Sequence, residues 1–85
     1  MEIHVSARKH GIADEDIAHA AEHALAGYAL EERDDGEPPR TLLLGPDRAG
    51  NLLELVVLEL DDGRRLAIHA MRMRPAYRDL LPDQP

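Results

Sequence analysis

Asp62-Gly63 sits between two apolar segments, residues 52–60 and 65–71. It restricts the fold more than any other feature of the chain. Asp-Gly is a preferred pair for a two-residue hairpin turn, because a type I′ turn needs positive φ at both central positions. A tight hairpin makes the two segments neighbouring antiparallel strands and fixes their register. Asp61 then faces Arg64, Leu60 faces Arg65, Glu59 faces Leu66, Leu58 faces Ala67, Val57 faces Ile68, Val56 faces His69 and Leu55 faces Ala70. Side chains alternate faces with period two. One face collects Leu53, Leu55, Val57, Leu66, Ile68 and Ala70 and is the expected core face. The other collects Glu54, Val56, Leu58, Leu60, Arg65, Ala67 and His69, apolar at its centre and polar at its edges.

A third strand is expected at residues 40–44, closed by Gly45-Pro46-Asp47, and Ile3-His4-Val5 reads as a short strand or a helix lead-in. A helix is expected over residues 14–26. Asp14, Glu15 and Asp16 stand in its first turn, where carboxylates suit the unpaired N–H groups. Ile17, Ala21, Ala24, Leu25 and Tyr28 share one side at helical spacing, while His19, Glu22 and His23 fall mostly opposite. Gly27 is the expected breaker, with a helix running on to Leu30 as the alternative. Residues 31–39 contain no apolar side chain except two prolines and read as a solvated loop. A short second helix begins near Pro75, suited to a first helical position; Tyr77, Leu80 and Leu81 pack down and Pro82 stops it. The expected fold is α+β: one domain, residues 1–85, with an N-terminal helix on a three- to four-stranded antiparallel sheet and a short C-terminal helix.

Composition removes several function classes. The chain has no Cys, Trp or Phe, and its aromatics are Tyr28 and Tyr77. Thiolate chemistry, Cys-ligated metals and aromatic platforms for unpaired bases are therefore absent. No cofactor is implied. The longest apolar run, Leu55-Val56-Val57-Leu58, is far short of the ~20 residues of a membrane span. The N-terminus lacks a signal-peptide pattern, so the expected compartment is the cytoplasm. At 85 residues a single core is marginal, and self-association or a partner would add stability.

The formal net charge is −7, from 17 acids and 10 bases. An even spread of that charge repels phosphate, but the spread is uneven. Residues 64–78 hold five Arg and no acid, and Arg8-Lys9-His10 forms a second basic island. Any RNA-facing surface is expected there, with Arg8, Lys9, His10, Arg65, Arg74 and Arg78 as its cations.

Metal-independent RNA cleavage requires a base for the 2′-OH, cations for the phosphorane and an acid for the leaving oxygen. In the hairpin register Glu54 is the diagonal neighbour of His69, within reach of extended side chains. Such a contact orients an imidazole and favours its charged form. Arg72 lies just downstream, in reach of phosphate. His69, Glu54 and Arg72 are thus the catalytic candidates, and a half-exposed strand histidine beside an apolar patch is the plain structural alternative. His19-Ala20-Ala21-Glu22-His23 spells H-x-x-E-H, but a protease of that type needs a third ligand and a deep cleft, so these read as exposed helix histidines and no metal is expected. Val56, Leu58 and Leu60 form an apolar patch, either a partner surface or one covered by the chain ends.

The order of these pieces resembles the BrnT toxin family, related in fold to the RelE-like toxins. The matching pieces are Arg8-Lys9-His10-Gly11-Ile12 before the helix, Leu44-Gly45-Pro46-Asp47-Arg48-Ala49-Gly50-Asn51-Leu52-Leu53 as strand, turn and strand, and Leu66-Ala67-Ile68-His69-Ala70-Met71-Arg72 as the last strand, followed by a Tyr-containing helix. The resemblance implies a ribonuclease toxin of a type II toxin–antitoxin system, neutralised by a cognate antitoxin that also binds operator DNA. It implies that Lys9, His10 and Arg72 meet RNA. The chain departs from the family in lacking a Trp-acid segment before Lys9, in reading Ala70-Met71-Arg72 for Ala-Arg-Arg, and in carrying Pro75-Ala76-Tyr77-Arg78 where a Glu-Arg is usual. These departures and the acidic total support a second reading, a non-catalytic BrnT-like module acting through protein–protein contact or dimerisation.

Overall fold

The computed structural model describes residues 1–30 and 37–82. The expected loop at 31–39 lies largely outside the described residues. Eight elements follow one another: β1 (Glu2–Ile3), a 3-10 turn (Val5–Arg8), α1 (Asp14–Glu22), β2 (Ala26–Ala29), β3 (Arg40–Pro46), β4 (Leu52–Glu59), β5 (Arg65–Arg72) and a 3-10 helix (Pro75–Leu80). The strands form one sheet in the order β1-β5-β4-β3-β2. Four of them pair antiparallel, but β1 runs parallel to β5, with Glu2 opposite Leu66 and Ile3 opposite Ala67. The α+β class stands. The sheet is five-stranded and mixed rather than three- to four-stranded and antiparallel.

The helix ends earlier than its sequence suggests. It covers Asp14–Glu22, and Ala26–Ala29 is an edge strand against β3. Ala24, Leu25 and Ala26 have the composition to continue the helix. Instead the Leu25 N–H donates to the Leu44 carbonyl at 2.8 Å, so the sheet edge captures the backbone. Tertiary pairing outweighs local propensity here. Ala24 and Leu25 are consequently exposed, and Tyr28 leaves the expected helical stripe for the strand face it shares with Leu42. The buried helix positions are Ile17 and Ala20, with Ala21 packed beside them.

The β4–β5 hairpin keeps its expected outer register but reaches it by another route. Val56 faces His69 and Leu55 faces Ala70, yet nearer the turn Val57 faces Ala67, Leu58 faces Leu66 and Glu59 faces Arg65. Asp62 does not adopt the positive φ that a type I′ turn demands; Gly63 does, at 88°. The loop therefore takes Asp61, Asp62 and Gly63, with Gly63 N–H donating to the Leu60 carbonyl at 3.0 Å and Leu60 N–H to the Arg64 carbonyl at 2.8 Å. A bulge opposite Val57 absorbs Ile68 and restores the outer register. It also moves Ala67 to the core face.

The core lies between α1 and one sheet face. Ile17, Ala20, Leu43, Leu53, Leu55, Val57, Ala67 and Ala70 pack there with Ala7, and the larger of these side chains contribute about 2 kcal/mol each. Gly45 lets the helix approach closely. A Cβ at this position would run into the Ala20 carbonyl oxygen and sit 3.0 Å from the Ala24 Cα.

The opposite face carries Leu42, Leu44, Glu54, Val56, Leu58, Leu66, His69 and Met71. Leu42 and Leu44 are buried, while Val56, Leu58 and Leu60 are half-buried. The C-terminal segment crosses this face. It leaves β5 with the Met73 N–H donating to the Leu52 carbonyl at 3.0 Å, and it reaches β2, where the Tyr28 hydroxyl donates to the Leu80 carbonyl. The expected C-terminal helix is present as a 3-10 helix.

Candidate functional site

Glu54 is the centre of the polar cluster on that second face. It lies in the middle of β4, only 1% exposed, between Leu44 and Met71 on the neighbouring strands. A carboxylate buried this far must be paired and hydrogen-bonded. Arg74 supplies most of the pairing. Its backbone N–H donates to Glu54 Oε1 at 3.0 Å, its Nε to the same oxygen at 2.9 Å, and its Nη2 to Oε2 at 2.8 Å. The fourth bond comes from His69 Nε2 to Oε2, at 3.1 Å. Burial works against ionisation, but the bonds from Arg74 and His69 outweigh it, and the Glu54 carboxyl is held below its ordinary value.

This fixes the tautomer of His69. An ionised carboxylate only accepts, so Nε2 carries the hydrogen and, in the neutral ring, Nδ1 is the basic atom. The side chain is 29% exposed, which leaves an approach from solvent. The ring of His10 stands edge to face against it, with centroids 5.8 Å apart and planes at 80°. Tyr77 completes the cluster: its ring lies 5.3 Å from the Arg74 guanidinium carbon, and its hydroxyl accepts from Arg74 Nη2 at 3.3 Å.

Of the residues singled out in the sequence, Glu54, His69, His10 and Arg74 come together. The Glu54–His69 contact follows from the register beyond the bulge. Arg72 does not join them. It pairs opposite Leu53, so alternation places it on the helix side of β5, away from His69. Arg8 is exposed and binds Asp14 through two bonds of 3.0 and 2.8 Å. Arg65 lies 3.8 Å from Glu59. Lys9 and Arg78 are exposed. Arg74 is committed to Glu54, a role that its place in a basic run does not reveal. The sequence places Tyr77 only as a packing residue, and neither its contact with Arg74 nor the His10–His69 contact is legible in it. The contact depends on the parallel β1–β5 pairing, which carries the N-terminal segment along β5.

The H-x-x-E-H histidines are engaged elsewhere. His19 Nδ1 donates to the Pro46 carbonyl at 2.8 Å, His23 Nδ1 donates to the His19 carbonyl at 2.9 Å, and the rings stack at 4.1 Å. Among the described residues, no group of three or more His, Asp or Glu is placed to hold a metal ion. No described helix is long and apolar enough to cross a membrane. A cavity of about 340 Å³ opens between α1 and the β4–β5 turn, lined by Met1, Glu2, Ala21, Glu22, Arg64 and Arg65, and shares no residue with the Glu54 cluster.

Chemically, the cluster offers an oriented imidazole with an ionised partner, a second imidazole in contact with it, and exposed lysine and arginine close by in the chain. That set suits proton transfer and anion binding. Compared with protein-family models, curated proteins and solved structures, the chain matches none.

Proposed function

We propose that this chain is a BrnT-like toxin of a type II toxin–antitoxin system, a metal-independent endoribonuclease neutralised by a cognate antitoxin. The observation that carries the reading is the Glu54–His69 pair, a buried carboxylate holding a half-exposed imidazole in one tautomer. His69 moves a proton during attack of the 2′-OH on phosphorus, and Glu54 orients it and stabilises the imidazolium. Arg74 is a positioning residue for Glu54. Among the described residues, Lys9 and Arg78 are exposed cations available to phosphate.

Expression without any antitoxin gene tests this reading. Growth arrest is expected, with purified wild-type chain cleaving cellular RNA and His69→Ala leaving it intact. Harmless expression together with equal RNA integrity for both proteins would sink it.

A second reading is favoured by a specific observation: much of the positive charge is already neutralised. Arg8 pairs with Asp14, Arg48 with Asp16, Arg64 with Asp62 and Glu2, and Arg74 with Glu54. Under that reading the chain is a non-catalytic binding module whose half-buried Val56, Leu58 and Leu60 meet a protein partner. Association that is insensitive to salt, without RNA cleavage, is its signature.

A further inference from the structure

We infer that His10 is the second proton-transfer group of the site, giving its proton to the leaving oxygen while His69 takes one from the attacking hydroxyl. This rests on the ribonuclease reading above and assigns His10 a role beyond RNA contact. Sequence distance alone gives no reason for the two histidines to meet. They meet because β1 pairs in parallel with β5 and the segment after it follows that strand: His4 N–H donates to the Ala67 carbonyl at 2.9 Å and Ser6 Oγ to the Ile68 carbonyl at 2.7 Å. The segment ends with the His10 ring against that of His69, centroids 5.8 Å apart.

The two rings are not equivalent. His69 has a carboxylate behind its Nε2, so an imidazolium formed by accepting a proton at Nδ1 is stabilised as it forms. That arrangement belongs to a general base. His10 is exposed, follows Lys9 in the chain and has no carboxylate partner among the described residues. It is the proton donor. Among the described residues, the charged and titratable groups around the pair are Glu54 from β4, Arg74 bound to that carboxylate, Tyr77 against Arg74, and Lys9 beside His10.

The step balances without a metal or co-reactant. The 2′-OH proton passes to His69 Nδ1 as O2′ bonds to phosphorus. The phosphorus–O5′ bond breaks, its electron pair stays on O5′, and O5′ takes a proton from the His10 imidazolium. The products are a 2′,3′-cyclic phosphate and a 5′-hydroxyl end. Proton exchange with water resets both rings. Because one ring must start neutral and the other protonated, the rate follows a bell-shaped dependence on pH.

A leaving-group substitution tests the assignment. The full chain is assayed on an oligoribonucleotide containing a mapped cleavage site, made with either the natural 5′ oxygen or a bridging 5′ sulfur at that site. Sulfur departs without protonation. His10→Ala is expected to slow cleavage of the oxygen substrate at least about 100-fold and to recover to within a few fold of wild type on the sulfur substrate. His69→Ala is expected to be slow on both. His10→Gln serves as a second variant, and melting curves matching wild type establish that both His10 variants fold. An unchanged rate on the oxygen substrate or no sulfur rescue overturns the role of His10 while the ribonuclease reading stands; a 5′-phosphate product excludes attack by the 2′-OH and overturns both. A wild-type chain that cuts neither substrate nor cellular RNA overturns both.

Discussion

The two faces of the sheet solve the same burial problem by different means. Under α1, Leu43, Leu53, Leu55 and Val57 meet Ile17 and Ala20, and among the described residues no charged residue is fully buried there. Across the sheet, Leu44 and Met71 flank Glu54, a fully buried carboxylate held by four hydrogen bonds. The first face depends on fit, and packing is insensitive to pH. The second depends on the charge state of one side chain. Apolar patterning on both sides of a strand makes a sheet; an acid set into one of those sides makes a site.

The largest effect is expected where fit is tightest. Gly45→Ala drives a methyl group into the Ala20 carbonyl and should destabilise by about 3 kcal/mol, read as a fall in Tm of more than about 10 °C. A variant as stable as wild type would show that α1 slides freely over the sheet, and the contrast between the faces would lose its basis.

Glu54→Gln comes next. It keeps the shape, removes the charge and leaves Arg74 and His69 without their counter-ion, for a loss of about 2 kcal/mol near neutral pH. Its clearer signature is in acid. The folded Glu54 carboxyl lies below its ordinary value, so its contribution is complete above the ordinary carboxylate range, about pH 4, and is lost as pH falls through the lowered value. Asp14, held down by Arg8, and Asp16, held down by Arg48, follow the same sign. Urea midpoints measured from about pH 7 to about pH 3 should decline for wild type and decline less for Glu54→Gln. Parallel curves would mean that the second face is no more titratable than the first.

Much of this contrast can be read from the sequence. Alternation in β4 separates Leu53, Leu55 and Val57 from Glu54 and Val56, and the register beyond the bulge brings Glu54 to His69. What could not be read is set by long-range pairing. Ala24, Leu25 and Ala26 look helical until an edge of β3 is available to capture them. Asp62-Gly63 announces a turn, but whether two or three residues form it depends on the φ of Asp62. His10 approaches His69 only because a two-residue parallel strand places it there. Arg74 belongs to a basic run, and nothing local marks it as the partner of an acid twenty residues earlier.

Neighbouring valines give a smaller and more direct comparison. Val57 is fully buried on the helix side, and Val56 is half-buried on the other. Val57→Ala should cost about 2 kcal/mol and Val56→Ala less than half as much, by urea denaturation. If Val56→Ala leaves stability intact but abolishes capture of an antitoxin, that valine belongs to a partner surface. The smallest effect is expected from Arg72→Ala. Arg72 is exposed on the side away from His69, so both RNA cleavage and Tm should stay at wild-type values; a loss of cleavage would place RNA around the β5 edge.

The bulge at Ile68 also governs how the chain tolerates a change of length. Removing Ile68 would leave Ala67 opposite Val57 and His69 opposite Val56 in an unbroken ladder, with every later side chain still on its own side. Removing Met71 would instead swing Arg72 onto the Glu54 side and exchange inside for outside from there on. Ile68 is thus the spare residue of β5, the point at which a deletion shortens the strand without inverting it.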